Sequence, residues 1–447
     1  MRLTEQNGQR GGLIGAFIRS AAYERRFLAK NPWDLSMVVW IPLATVLLIW
    51  WIFSQIQITD LPIGVVDNDR GPVANTAVRY LEANPNLTVR QLYHSPAAVE
   101  AALLQRDIYA VVIIPENFSR NISSSKPAPI VLQVNAQYGT HSGIIQTSVQ
   151  SVIGTLSAGV EIQRLVKKGM APSQAAIAYS PIGIQRISLF NAATDYQQFL
   201  ASTVIPALLH ILAMVIGATT IGRELRDKKI GVWYDFINSG QPDLTTIKDN
   251  KIKGSQIKNS QTTAVLAEDN KTFIEDNKPR KAKISILLFG LLGKYFWPML
   301  AYSVWSVLAL WLATPQQAVA TSSIMATYIG LVLLMMLSFW LGAIFTLTSF
   351  SLRMGLSSTG FISAPSYAFA GVTFPYIAIS KNAQHWSDAL PLTHYLKLHI
   401  AQLQMQAPVA ISLPIVYGLT LATIVTMFLA ALLSKRALAH PERWGAR

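Results

Sequence analysis

Long apolar runs without charge recur along the chain and divide it. A helix that crosses a bilayer needs about 20 apolar residues, and a charge at its centre costs roughly 2.5–3.5 kcal/mol. By that test six spans are predicted: Leu35–Gln55, Phe199–Ile221, Tyr295–Ala313, Ser323–Phe350, Met354–Ser380 and Ile411–Ser434. Trp50 and Trp51 close the first span as an interfacial belt, and Pro365 and Pro375 interrupt the fifth. Before the first span, Leu13, Ile14, Phe17, Ile18, Ala21 and Leu28 recur at helical spacing among Arg19, Arg25, Arg26 and Lys30. This pattern predicts an amphipathic helix over 13–31, lying in the headgroup plane and ended by Pro32.

Between the first two spans the pattern changes. Leu61–Asp67, Leu87–Tyr93, Ile108–Ile114 and Ile130–Asn135 read as strands, and Ile182–Ser188 leads back toward the membrane. Helices are predicted at Pro72–Ala83, after Ser95 as a cap with Pro96 in the first turn, and over 142–168. Such alternation predicts a small α/β domain, large enough for its own core. Residues 241–283 are rich in Lys, Asn, Asp, Gln, Ser and Thr, a composition that cannot bury enough apolar surface to offset chain entropy, so a flexible insertion is expected.

The fold class is therefore an α-helical membrane protein, six transmembrane helices with an α/β extracytoplasmic domain between the first and second spans. Its parts are an N-terminal segment 1–34, span one at 35–56, the α/β domain at 57–197 and span two at 198–221. A cytoplasmic loop at 222–294, spans three to six at 295–434 and a tail at 435–447 complete it.

Composition agrees: 51% of the 447 residues are hydrophobic and 13% charged, against about 25% charged in soluble domains. The net charge of +14 could mark a nucleic-acid surface. Its placement argues otherwise. Arg10 to Lys30, Arg223 to Lys229, Arg353, and Lys435 with Arg436 flank the spans on one side, so the positive-inside rule places both termini in the cytoplasm and 57–197 outside it. The chain has no cysteine, which excludes disulfides and thiolate chemistry. No Walker A, GxSxG or HExxH pattern occurs; Gly290–Tyr295 has the wrong spacing for a phosphate loop. No catalytic residue, metal site or cofactor is expected in the chain. Asp67 and Asp69 read as turn residues after a strand.

The order of a basic helix, a span, an α/β outer domain and five spans resembles the ABC-2 type permeases. So do Asp60–Asp67, Val111–Phe118, Leu189–Asn191 with Asp195–Tyr196, Arg223-Glu224, Gly293-Lys294, Ala370–Pro375 and Leu390–Thr393. One stretch departs: the family's acidic, Gly-Thr-containing turn is here Glu224–Trp233, with Val232 for the threonine and Lys229 at the second acidic position. The resemblance implies a multi-pass protein of the bacterial inner membrane, the permease subunit of an efflux system. It implies a partner ATPase carrying ATP and Mg, a second copy of the chain or a paralogous permease, lipid contact, and a periplasmic adaptor. Nucleic acid is not an expected partner.

The expected ATPase-coupling surface is Arg223, Glu224, Asp227, Gly231, Trp233 and Tyr234. Polar span residues His210, Thr219, Thr220, Ser338 and Thr346 are candidates for a translocation seam, and Pro365, Gly371 and Pro375 for a break in span five. Rivals are an ion-driven transporter, disfavoured because no Asp or Glu falls within a predicted span, a membrane-anchored sensor, and an accessory or receptor protein that shares the outer domain.

Overall fold

Apolar periodicity in the sequence becomes two units in the computed structural model. The structure describes residues 12–54, 58–124, 126–179, 189–190, 195–239, 279–314 and 319–445. One unit comprises Gln55–Tyr196, and the other Met1–Ser54 with Gln197–Arg447.

The helical unit begins with α1 (Leu13–Lys30), α2 (Pro32–Val38) and α3 (Trp40–Ile52). Asn31 is extended and interrupts the helix, and Pro32 begins α2 rather than merely ending α1. Proline suits that first-turn position because its missing N–H would be unpaired there anyway. Helices α2 and α3 meet at a 41° bend.

In the other unit, β1 (Leu61–Asp67), α4 (Pro72–Glu82), β2 (Leu87–Leu92), α5 (Pro96–Gln105), β3 (Ala110–Ile114), α6 (Phe118–Ser123) and β4 (Val131–Val134) follow, then α7 (Gly139–Lys167) and α8 (Pro172–Tyr179). The strand order is β2-β1-β3-β4; the first three run parallel and β4 antiparallel. Parallel strands need crossover helices, which α4 and α5 supply. Both faces of the sheet are covered. Ile63, Val65, Ala110 and Val112 pack with Ala74, Leu81, Ile145 and Val149, while Val111 packs with Tyr93, Val99 and Ile108. That double cover explains the near-continuous apolar run in β1 and β3. As expected, the Ser95 hydroxyl accepts from Ala98 N–H and caps α5. The segment 182–188, expected to lead back toward the membrane, lies outside the described residues.

The helical unit resumes with a π turn at Gln197–Ala201 that runs into α9 (Ser202–Arg226), then α10 (Ile230–Ser239), α11 (Ile284–Ala313), α12 (Thr321–Ser349), α13 (Leu352–Ser363) and α14 (Ser366–Phe369). It ends with α15 (Lys381–Ala389), α16 (Pro391–His399) and α17 (Val409–Ala439). Most of the predicted insertion 241–283 lies outside the described residues.

Among the described residues, four helices are long and apolar enough to cross a membrane: Gln197–Arg226, Ile284–Ala313, Thr321–Ser349 and Val409–Ala439. The bent pair α2–α3 raises the number to five if it counts as one span. The segment predicted as the fifth of six spans is not one helix. It stops at Ser363, Pro365 caps the short α14, Gly371 adopts φ +79°, and Pro375 precedes a 3-10 turn at Tyr376–Ala378. Two of the long helices cross closely: a Cβ on Gly342 of α12 would collide with Met214 O of α9, and one on Gly217 with Phe339 O. Small residues at such crossings let backbones meet where hydrophobic burial gives no drive.

Candidate functional site: a buried charge cluster

Helix α1 turns Ala16, Ser20, Glu24 and Leu28 inward, one every fourth residue, against α11. The expected apolar arc is therefore rotated, and Ile14 and Ile18 stay exposed. Glu24 is fully buried. It meets Arg223 of α9 in an ion pair and Lys294 Nζ of α11 at 3.5 Å. Lys294, also fully buried, donates to Glu224 Oε1 at 2.8 Å. Arg223 Nε lies 3.8 Å from the same Glu224 oxygen, and Arg223 Nη1 lies 3.9 Å from Asp34 Oδ1 of α2.

Aromatic groups enclose these charges. The Arg223 guanidinium sits 3.8 Å from the Phe27 ring centroid, and Lys294 Nζ 4.8 Å from that of Tyr23. Tyr23 donates to Glu224 Oε2 at 3.4 Å. Burial, with the Glu224 charge beside it, pushes the Tyr23 phenol well above its ordinary range, so it stays a donor. Trp233 Nε1 donates to Ser20 Oγ at 3.1 Å and Trp297 Nε1 to Ala21 O at 3.0 Å. A Cβ on Gly293 would strike Phe17 O, so glycine is what lets α1 lie against α11 beside Lys294.

Burial gives the cluster its stiffness. Separating a buried pair by removing one partner costs about 3–5 kcal/mol, because a charge is left uncompensated. Helices α1, α9 and α11 therefore move together at this point or expose unpaired ions.

Residues 32–233 match the sequence model of the ABC-2 family transporter proteins. Over that stretch the chain is similar to the ABC-2 family transporter proteins. The match runs from α2 into α10 and includes Asp34, Arg223 and Glu224 but neither Glu24 nor Lys294. It supports an ABC-2 permease, a membrane transport component. Families of this kind work with a cytoplasmic ATPase subunit. No curated protein matches the chain in sequence.

The expected coupling residues divide into two groups. Arg223, Glu224, Gly231, Trp233 and Tyr234 are buried within the chain. Tyr234 OH accepts from Lys283 N–H at 3.0 Å, and Arg280 lies over Gly231 while binding Asp235 at 2.8 Å. Asp227 is exposed, in the turn that carries Arg226, Lys228 and Lys229.

The seam candidates lie mostly inside the packing of α9 against α12. His210 Nδ1 is 2.6 Å from Ser338 Oγ. Thr346 donates to Gly342 O at 3.1 Å, and Thr219 to Ile216 O at 3.2 Å. Thr220 is buried. These hydroxyls chiefly satisfy helix carbonyls, as Ser and Thr in apolar helices often do.

Sequence reasoning missed Glu24, Lys294 as a charge partner, Tyr23 and Asp34. A signal existed for Glu24: it is an acid spaced four residues from Ser20 and Leu28 on one face. Nothing in the sequence pairs it with residues about 200 and 270 positions away. Among the described residues no group of His, Asp or Glu has metal-holding geometry. Asp67 and Asp69 form a turn, as expected. Asp67 Oδ1 accepts from Asp69 and Arg70 N–H, and Asp69 Oδ2 from Gly71 N–H and from the Ser119 N–H and hydroxyl.

Proposed function

We propose that the chain is the permease subunit of an ABC-2 type exporter in a bacterial inner membrane. Two copies, or this chain with a paralogous permease, form the pathway, and separate cytoplasmic ATPase subunits carrying ATP and Mg drive it. The substrate is hydrophobic or amphipathic. Both termini are cytoplasmic, and residues 57–197 form a periplasmic domain able to dock an adaptor.

The ion-paired junction of α1, α9 and α11 carries the reading. An ATPase pressing on α1 and on the exposed turn at Asp227–Lys229 would displace α9 and α11 as one piece. Arg223, Glu224, Trp233 and Tyr234 transmit that force rather than touch the ATPase; Asp227 and the neighbouring lysines make the contact. A pull-down of the tagged chain in mild detergent, followed by mass spectrometry, tests the proposal. A Walker-motif protein at about equal stoichiometry is expected. Its absence, under conditions that preserve a control ABC complex, would replace the exporter with a membrane accessory or receptor protein.

A further inference from the structure

A cleft of about 200 Å³ opens beside the charge cluster, between the α1–α2 elbow, α9 and Leu352 at the start of α13. Phe27, Met37, Val38 and Ile216 form its apolar wall, and Thr219 and Thr220 line it with hydroxyl-bearing side chains. Trp33 stands at its rim, 71% exposed. Three ionisable side chains reach it: Asp34, Arg223 and Arg226.

Pairing decides which of the three is available. Arg223 is bonded to Glu24, and Lys294 to Glu224, so each buried cation has its own carboxylate. Arg226 is held by both oxygens of Asp227, at 2.8 and 3.3 Å. Asp34 is left over. Its contact in the cluster, Arg223 Nη1, is 3.9 Å away, beyond hydrogen-bond reach. Arg226 also interacts electrostatically with Asp34, so four carboxylates (Glu24, Asp34, Glu224, Asp227) share three cations (Arg223, Lys294, Arg226). The surplus negative charge lies on the carboxylate at the open side, whose side chain is one-third exposed.

A surplus negative charge among apolar and aromatic walls suits a cation with an apolar body. Size narrows the class. Pockets that enclose whole drug-sized ligands measure roughly 300–1,000 Å³, so this cleft takes an ammonium head and a few carbons, leaving the tail outside. We propose that the cleft binds amphipathic amines, with the protonated ammonium on Asp34 and its remaining N–H donors shared with the Thr219 and Thr220 hydroxyls. Thr219 already donates to Ile216 O, which leaves its oxygen able to accept. That such amines are the exported substrate rests on the permease reading; that they bind does not.

The test uses the full chain in phosphatidylcholine nanodiscs, without ATPase or ATP. The probe is dodecylamine carrying a fluorophore at the tail end. The matched alcohol and alkyl sulfate, and empty nanodiscs, serve as references. Saturable binding at least tenfold tighter for the amine is expected. Asp34→Asn should weaken it at least tenfold, and Met37→Trp, which fills the cleft, should do likewise. Glu161→Gln, in the other unit, should change nothing. If Asp34→Asn fails to fold, judged by its melting profile, Met37→Trp decides. Equal binding of amine and alcohol, preference for the sulfate, or an amine titration unmoved by the folded cleft variants overturns the proposal. Adding phosphatidylethanolamine distinguishes sources of the ammonium: competition points to an aminophospholipid, and no competition to free amines. A chain that binds the amine but recruits no ATPase keeps the site and loses the exporter; the converse keeps the exporter and loses the site.

Discussion

In the α/β unit, no described Asp, Glu, Lys or Arg is buried; Ile63, Val65, Ala110 and Val112 fill the sheet core, and the acids Asp67 and Asp69 tie a turn at its edge. In the helical unit Glu24, Arg223, Glu224 and Lys294 are all buried where three helices meet. The difference teaches what holds each unit. A sheet covered on both faces gains from every apolar area removed from water. Long apolar helices gain little from apolar burial if their surroundings are lipid, so close glycine crossings and paired charges define their contacts. A buried ion pair is poor evidence of net stability, because desolvation offsets its attraction. Its effect is on geometry: it fixes which turn of α1 faces which turn of α9 and α11.

The largest effect that would break this comparison is Lys294→Ala. It leaves Glu24 and Glu224 with a single cation, and a loss of about 3–5 kcal/mol is expected, read as a lower melting temperature in detergent by tryptophan fluorescence. A shift as small as that of a surface lysine would show that the cluster is hydrated. In the α/β unit, Ile63→Ala should cost about 2–5 kcal/mol through a cavity, measured by denaturant unfolding followed at the sheet; a silent result would show that the core collapses around it. Gly342→Leu forces α12 away from α9 and should cost about 1–3 kcal/mol, the usual range for overpacking. The melting transition checks it, and Gly360→Leu, where a Cβ meets nothing within 4 Å, is the reference.

The smallest effect is that of pH on Asp69. Burial pulls its carboxyl upward, but hydrogen bonds from Ser119 and from the Gly71 N–H outweigh this and hold it below its ordinary value. A lowered native pKa means that the stabilisation is present above the unfolded value, near 3.9, and is lost as pH falls through the native one. Ser119→Ala removes one donor and should cost about 1 kcal/mol at neutral pH. The cost should shrink in acid, as a pH series of unfolding midpoints would record; a cost independent of pH would separate the loss from Asp69 ionisation.

Much of this was legible in the order of residues. The strand Leu61–Asp67 begins and ends where the apolar run and the turn residues after it place it, and Ser95-Pro96 marks a helix start because capping is a local event. Four long helices follow from charge-free runs, since length and apolarity suffice to identify them. Their ends were less legible. Helix α9 continues from Ile221 through Arg226, and α11 begins at Ile284, eleven residues before the predicted start. Both extensions carry charges, and a count that stops at the first charge cannot know that the charge is paired. The segment Met354–Ser380, expected to be broken by its prolines, divides into α13, the short α14 and a 3-10 turn.

The sequence by itself determined the class of most described segments, because periodicity, caps and apolar length act within a few residues of where they are read. Only the tertiary structure decided which charges meet. Glu24, Arg223 and Lys294 come from three separate helices, and their pairing is set by how glycine crossings and apolar packing bring those helices together. It also turned the expected contact surface at Arg223, Glu224 and Trp233 into interior, and left Asp34 at the mouth of a cleft with only a long ion pair to an arginine that Glu24 already holds.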